Sequence, residues 1–383
     1  MKHISERELQ LPDAQIGRLL KIAVEDHSVI SMSVGEPDFI TPKPLLRYAK
    51  KMVKYSTHYT PTAGRRELRE AIVHKLKKDN NIDTNPENII LTTGSQQAVF
   101  TALLTTIDPT EQVIIPSPSY LAYVPQIELV SGTPVYFKLD EENDFEVNPD
   151  DIKKVIDRKK SKVLLINTPG NPTGTVLSKK ILEEIADIAV EYDLYVFSDE
   201  AYEKLIYDRK HISIGSLNGM KNYVVTFQTF SKSYAMCGFR LGYAAGPENL
   251  IKEMTKASHY VTLAPPTLSQ LVAVKALSLN PRYTNKMVKE YRRRRDFLVK
   301  RLNEIGLPTK MPYGAFYTFS NILEFSRNSL RFTNDILRKA KVAVVPGSEF
   351  GKYGEGYIRC SYATDFKLIE KAMDRIDNFL RRG

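Results

Sequence analysis

The sequence predicts an α/β fold in which a mostly parallel mixed sheet is sandwiched by helices and accompanied by a smaller α+β domain. Three observations point there. From about residue 89, short β-branched runs alternate with stretches of helical period, as strands joined by crossover helices do. The runs are apolar throughout, not on alternate residues, so both faces of the sheet are covered. A chain of 383 residues is also long enough for two domains around separate cores.

The elements follow in chain order. Residues 1–40 are read as an N-terminal arm contributing to the smaller domain, with a helix near residues 11–24 that closes toward the site together with the C-terminal domain. Residues 41–280 form the large domain, whose strands are ENIILTTG, QVIIPS, KVLLINTP, LYVFSDE and YVVTFQTF. Between the third and fourth of these, LSKKILEEIADIAVEYD puts Leu182, Ile185, Ala186 and Ala189 on one face, the spacing of an amphipathic crossover helix. Only about a dozen residues separate YVVTFQ from RLGYAAG, near the lower limit for a parallel crossover, which leaves room for an antiparallel pair. Residues 281–383 form the smaller C-terminal domain, with long charged helices at 281–305 and 365–381 around a few short strands. Neither an internal repeat nor a low-complexity linker interrupts the chain.

Composition narrows the function classes. The opening MKHISERELQLPDAQ lacks the unbroken apolar stretch of a signal peptide, and no run nears the ~18 consecutive apolar residues of a membrane span. A cytoplasmic protein without membrane association is expected. Cys237 and Cys360 lie far apart with no CxxC or Cys/His spacing, which indicates neither a disulfide nor a metal site; both are expected to be small buried side chains. The formal charge of +10 raises the question of nucleic acid. Its densest run, Arg292–Arg295, lies where Tyr291, Phe297, Leu298, Leu302 and Ile305 recur at helical spacing, and reads as a solvated basic face. Such a face without a base-reading module is ordinary surface, so no nucleic-acid partner is expected. The charge gives a general pull on anionic substrates and phosphate.

Chemistry concentrates at strand ends. VFSDEAY puts Asp199 just past an apolar run, where open α/β sheets keep their ligand crevice. In FQTFSKSYAMCGFRLGY, Lys232 is followed eight residues later by Arg240 and is surrounded by Thr229, Ser231 and Ser233. A lysine beside a phosphate-bearing carbonyl cofactor forms a Schiff base, and pyridoxal phosphate needs such a lysine with an acid for its ring nitrogen. One lysine alone is an ordinary surface residue; its neighbours give it weight.

The strings SVGEPDF, HYTPTAG, TTGSQQA, NTPGNPTG, SDEAY, TFSKSYAMCGFRLGY, PYGAFY and YIRCSYA occur in the order and spacing of the class I/II aminotransferases of pyridoxal-phosphate fold type I, and the chain resembles that family over roughly residues 30–380. The resemblance implies that Lys232 holds pyridoxal 5′-phosphate and serves as the proton-moving base, and that Asp199 keeps the ring nitrogen protonated. Asn171 and Tyr202 would hydrogen-bond the ring hydroxyl oxygen, and Tyr120 would stack on the ring. Gly94, Ser95 and Gln96, at the start of a helix with free N–H groups and a positive dipole end, would bind the phosphate with Thr229 or Ser231 and Arg240. Tyr59 corresponds to a tyrosine lent across a dimer interface, which implies a homodimer. Arg359 would take the substrate α-carboxylate as a bidentate fork, beside Asn171, and Gly35 would let the backbone approach the substrate.

The resemblance therefore implies an aminotransferase moving an amino group from an L-amino acid to a 2-oxo acid such as 2-oxoglutarate. A carboxylate held by Arg359 is not readily lost as carbon dioxide, which leaves Cα–H as the bond to break. Some bacterial aspartate aminotransferases carry a lysine at the position of Gln96 to meet a distal carboxylate; glutamine lacks that charge, so an aromatic or broad donor range is favoured over a strict aspartate one. Two alternatives share the scaffold. A C–S β-lyase would use the same cofactor cup, and a pyridoxal-phosphate-sensing regulatory module would need a DNA-binding extension, whereas only about 30 residues precede SVGEPDF.

Overall fold

The computed structural model describes residues 3–13 and 15–382. Met1, Lys2 and Ala14 of the expected arm, and Gly383 at the chain end, lie outside the described residues. The expected helix near 11–24 is α1 (Gln15–Glu25).

A seven-stranded sheet forms the centre, built from β1 (Ile89–Thr92), β2 (Gln112–Ser117), β3 (Thr133–Lys138), β4 (Ser161–Asn167), β5 (Tyr195–Asp199), β6 (Val224–Thr229) and β7 (Gly242–Ala245) in the order β1-β7-β6-β5-β4-β2-β3. Strand β7 runs antiparallel to both β1 and β6, as the short RLGYAAG connection allowed. The other pairs are parallel. Strand β3, TPVYFK, is the one strand of this sheet the sequence pattern did not announce. It lies at the edge, where Pro134 costs no ladder bond on its open side, and its exposed Thr133 and Lys138 break the apolar run that marks the interior strands.

Alternate residues of each strand serve opposite faces. On one, Ile114, Leu164, Ile166 and Val196 meet Leu182, Ile185, Ile188 and Ala189 of the crossover helix α2 (Lys179–Tyr192), whose first turn is capped by Ser178 accepting from Ile181 N. On the other, Val113, Ile115, Leu165, Phe197 and Phe227 meet Ala98, Val99, Ala102 and Leu103 of a helix over Ser95–Thr106. A separate three-stranded antiparallel sheet holds β8 (Tyr317–Asn321), β9 (Val345–Pro346) and β10 (Tyr357–Ser361) in the order β9-β10-β8. Against it pack α3 (Arg282–Glu304) and α4 (Phe366–Arg382) through Tyr291, Leu298, Leu302, Ile369, Met373 and Ile376.

Helix α3 corrects the reading of its arginines. Arg292 and Arg293 are exposed, but Arg294 and Arg295 are only 5% and 3% exposed. Residues 291, 294, 295 and 298 are separated by three or four positions and share the inward face. Arg294 pairs with Asp38 at 2.8 Å and Glu290 at 2.9 Å, and Arg295 with Asp208 at 2.8 Å and Asp296 at 2.6 Å. Half of the run is thus buried and paired. Of the cysteines, Cys360 is buried as expected and Cys237 only half-buried. Among the described residues no helix is long and apolar enough to cross a membrane.

The packing of α2 yields a stability test. Leu182→Ala, at a fully buried position, should cost about 2–5 kcal/mol in urea denaturation, whereas Asp187→Ala, on the exposed face of the same helix, should stay within about 0.5 kcal/mol. Equal losses would contradict this placement of the helix.

Candidate active site

The C-terminal ends of the central strands open into a cavity of about 390 Å³. Sequence-expected residues Gly35, Gly94, Ser95, Gln96, Tyr120, Asn171, Asp199, Tyr202, Thr229, Ser231, Lys232, Arg240 and Arg359 all line it. Tyr59 does not; it is 85% exposed on the surface of its own chain.

Asp199 ends β5, the fourth strand in the order, and stands in register with Asn167 at the end of β4. Its carboxylate accepts from Tyr123 Oη at 2.7 Å and from Ala201 N at 3.1 Å, and it has no ion-pair partner within reach among the described residues. Burial raises its pKa, against the lowering pull of those two hydrogen bonds. Tyr123 is itself buried, which raises its phenol well above the ordinary value and keeps it a neutral donor.

Lys232 sits on a single helical turn, Phe230–Ser233, that starts where β6 ends and is capped by Thr229, whose Oγ1 accepts from Ser231 N at 3.1 Å. Its Nζ donates to Gly35 O at 2.6 Å. A Cβ on Gly35 would lie 3.0 Å from Tyr317 Oη, so the close approach favours glycine.

Opposite lies the N-terminus of the helix Ser95–Thr106, which no side chain caps. Gly94 has φ of +81°, and a Cβ there would lie 2.8 Å from Arg240 Nη2. Gly242 makes the same junction possible from the sheet side, since its Cβ would fall 2.4 Å from Ser95 N. Free amides, a positive helix end and a guanidinium converge, which is a setting for an anion.

Arg359 on β10 is 1% exposed. It donates from Nη1 to Asn171 Oδ1 at 2.9 Å and from Nη2 to Ser33 O at 2.7 Å, with its guanidinium 4.3 Å over the Tyr317 ring. Its Nε is buried with no partner among the described residues. Tyr317 Oη and Tyr202 Oη lie 2.8 Å apart. Burial raises the phenols around the cavity: Tyr202 well above its usual range, with Tyr317 adding to the effect, and Tyr120 to about 12.

The sequence reading passed over Tyr123, Asn167 and Tyr317, and Ile16 and Gly17 of α1 also line the cavity. Tyr123 follows Tyr120 by three residues, a helical spacing that was available. Tyr317 closes PYGAFY, a string noted without a role. Behind the site, Glu200, Glu203 and His211 bring ligand atoms within 4.8 Å of one another, but Lys75 supplies the cation there, 2.5 Å from Glu203 Oε1.

The model of the family Aminotransferase class I and II matches residues 27–376. The chain is 47% identical to an aspartate aminotransferase of Pyrococcus abyssi, covering 99% of this chain and 98% of that one. It is 44% identical, with the same coverage, to aromatic-amino-acid aminotransferase 2 of Thermococcus litoralis. The crystal structure of an aromatic aminotransferase from Pyrococcus horikoshii OT3 superposes with a TM-score of 0.91 at 46% identity, covering 95% of this chain and 99% of that one. With the match spanning both the central sheet and the strand of Arg359, this chain belongs to the class I and II aminotransferases and is an enzyme of amino-group transfer.

Proposed function

We propose that the cavity holds pyridoxal 5′-phosphate and that the enzyme moves the amino group of an L-amino acid to a 2-oxo acid such as 2-oxoglutarate, with Lys232 as the base. The observation that carries this reading is the gathering of Lys232, buried Asp199, the anion cup at Gly94–Ser95 and buried Arg359 in one cavity. The residues fit the cofactor. Asp199 is a buried acid with two donors and, among the described residues, no ion-pair partner, suited to a ring N–H. The cup needs glycine at 94 to seat Arg240, and Ser95, Gln96, Thr229 and Ser231 surround it. Asn171 Oδ1 is engaged by Arg359, and its Nδ2, like the Tyr202 hydroxyl, is suited to the ring oxygen, with Tyr120 on the ring face.

When bound, pyridoxal phosphate supplies a carbonyl carbon that receives the amino nitrogen and a ring that accepts the electron pair of the broken Cα–H bond. Lys232 Nζ would hold the group at that carbon and, when free, would be the base that takes up and returns the Cα proton. Arg359 has five N–H groups, of which the protein engages two; Nε–H and the remainder suit a carboxylate fork. The cations lining the cavity, Lys232, Arg240 and Arg359, all have roles, and Gln96, Ile16 and Leu121 are uncharged. That supports an aromatic or broad donor range over a strict aspartate one.

A homodimer completes the reading. Tyr59, Tyr260 and Ile40 are 85%, 85% and 81% exposed, and bare apolar side chains of this size support a partner surface. The Tyr59 loop is tied to the segment after residue 258 by Thr62 to His259 Nδ1 at 3.2 Å and Thr267 to His58 O at 2.6 Å. That segment reaches the cup helix through Gln97 to Thr262 at 2.7 Å. These ties to the cup helix, with the exposure of Tyr59, support the reading that Tyr59 serves the phosphate end of a second copy's site.

Three outcomes test this. Wild-type enzyme with cofactor should show visible absorption that bleaches on adding a donor amino acid, and a panel of donors against 2-oxoglutarate, read as glutamate, ranks specificity. Lys232→Ala should lose roughly 10²- to 10⁴-fold in turnover from the missing base alone; wild-type turnover in that variant would sink the proposal. Arg359→Lys should raise KM for the amino acid by roughly 10- to 150-fold, the loss of about 1.5–3 kcal/mol for a charged hydrogen bond.

Asp199 gives a pH dependence of known sign in the cofactor-free protein. Its folded pKa lies above the unfolded value of 3.8, so the folded state binds the proton more tightly and stability falls as pH rises from 3.8 through the raised pKa. The thermal midpoint of Asp199→Asn relative to wild type should therefore climb over that window. A flat difference would show that Asp199 is not held up by burial.

A further inference from the structure

We propose that Arg294 is a positioning residue for substrate binding: through Asp38 it sets the segment of residues 33–38, a wall whose Gly35 lines the cavity and whose Gly35 and Ser33 carbonyls hold Lys232 and Arg359. This rests on the roles just proposed for those two side chains.

The wall touches both reacting ends of the site. Ser33 O accepts from Arg359 Nη2 at 2.7 Å and Gly35 O accepts from Lys232 Nζ at 2.6 Å. Two carbonyls, two residues apart, therefore set the spacing between the amine that meets the substrate nitrogen and the guanidinium that meets its carboxylate. Upstream the segment is fixed by backbone bonds, Met32 N to Ala343 O at 2.8 Å and Ser361 N to Met32 O at 2.7 Å. Downstream it is fixed by side chains of α3. Asp38 accepts from Arg294 Nη1 at 2.8 Å and from Tyr291 Oη at 3.2 Å, and Phe39 stands edge-on to Tyr291 with ring centres 5.4 Å apart.

Arg294 is the charged member of that anchor, its side chain only 7% exposed. It also bonds Glu290 Oε1 at 2.9 Å and Tyr362 O at 3.4 Å, so the cation is fixed to its own helix and to the loop after β10, the strand that carries Arg359. A buried ion pair is weak evidence for stability, because desolvation offsets much of its attraction. Its geometric consequence is specific: a displacement of ~1 Å at a substrate-positioning group can change rates on the order of 100-fold.

The test uses the holoenzyme and compares Arg294→Met, Arg294→Lys, Asp38→Asn, the double variant Asp38→Asn with Arg294→Met, and Lys289→Ala as an exposed control on the same helix. Arg294→Met should raise KM for both the amino donor and the 2-oxo acid between about ten- and a hundredfold, with a smaller fall in kcat and full occupancy of the visible cofactor band. Asp38→Asn should do the same, the double variant no more than either single, and Arg294→Lys should recover part of the loss. Amide exchange at residues 33–38 should quicken in Arg294→Met with or without cofactor. A lowered urea midpoint with unchanged KM, additive single effects, or unchanged exchange at 33–38 would overturn the proposal. A wild-type enzyme without a visible band would overturn the cofactor reading instead, and the exchange measurement would still decide whether Arg294 holds the wall.

Discussion

A carboxylate buried at the end of the central strand is the constraint around which the rest of the cavity is arranged. Withdrawing an ionised Asp199 from water is costly unless it is paired or hydrogen-bonded, and among the described residues the fold gives it two donors and no ion-pair partner. One donor, Ala201 N, follows from the turn after β5. The other, Tyr123, opens the helix Tyr123–Leu129, placed there by the crossover from β2. Asn167 and Thr168, one strand over, donate to the backbone carbonyl of Asp199 at 2.9 and 3.1 Å, so the strand end cannot swing away. The acid is fixed in position while its charge remains under-compensated, the state of a group built to meet a cation.

Glu203, four residues on, shows that burial alone does not produce this state. Burial raises Glu203 too, and is the largest single effect, but Lys75 beside it, with Lys204 and His211, together outweigh that and hold the carboxyl down at about 2. Lys75 also bonds Asn80 and Gln228, and Glu200 is bonded by Ser213 and His211. This network pairs its acids with its own cation and donors, and none of its members lines the cavity. Two neighbouring buried acids are thus shifted in opposite directions, and the one without an ion-pair partner among the described residues is the one that lines the cavity. That difference, more than the motif SDEAY, supports assigning the chemistry to Asp199 and a structural part to its neighbours.

The sheet was legible in the sequence because its interior strands are apolar on both faces, and the crossover helix because Leu182, Ile185 and Ala189 repeat at its period. Strand β3 was not, since an edge strand with Pro134 and solvent-facing ends lacks that signature. The arginine run was misread for a different reason: hydrophobic spacing marks the inward face of α3, but residues 294 and 295 share that face and are neutralised by Asp38 and Asp208, which are distant in sequence. Tyr123 and Tyr317 escaped for the same reason. Their partners, Asp199 and Tyr202, are 76 and 115 residues away, and only the fold makes them neighbours.

Arg359 shows why that long-range component matters to function. Its two bonded groups, Asn171 and Ser33, lie 188 and 326 residues away, so the guanidinium is oriented by the turn after β4, by the segment beside Gly35 and by its own strand at once. Tyr317 beneath it is joined through Tyr202 to the turn after Asp199. An arginine on an exposed loop would bind a carboxylate in many geometries, whereas one locked by three segments offers its remaining N–H groups in a single direction, with the ordering entropy already spent in folding. The buried Nε without a partner is a cost the fold bears before any substrate arrives. On the roles proposed for Arg359 and Lys232, a carboxylate that satisfied it would recover that cost on binding, and the α-carboxylate would be the part of the substrate best able to set the position of Cα over Lys232.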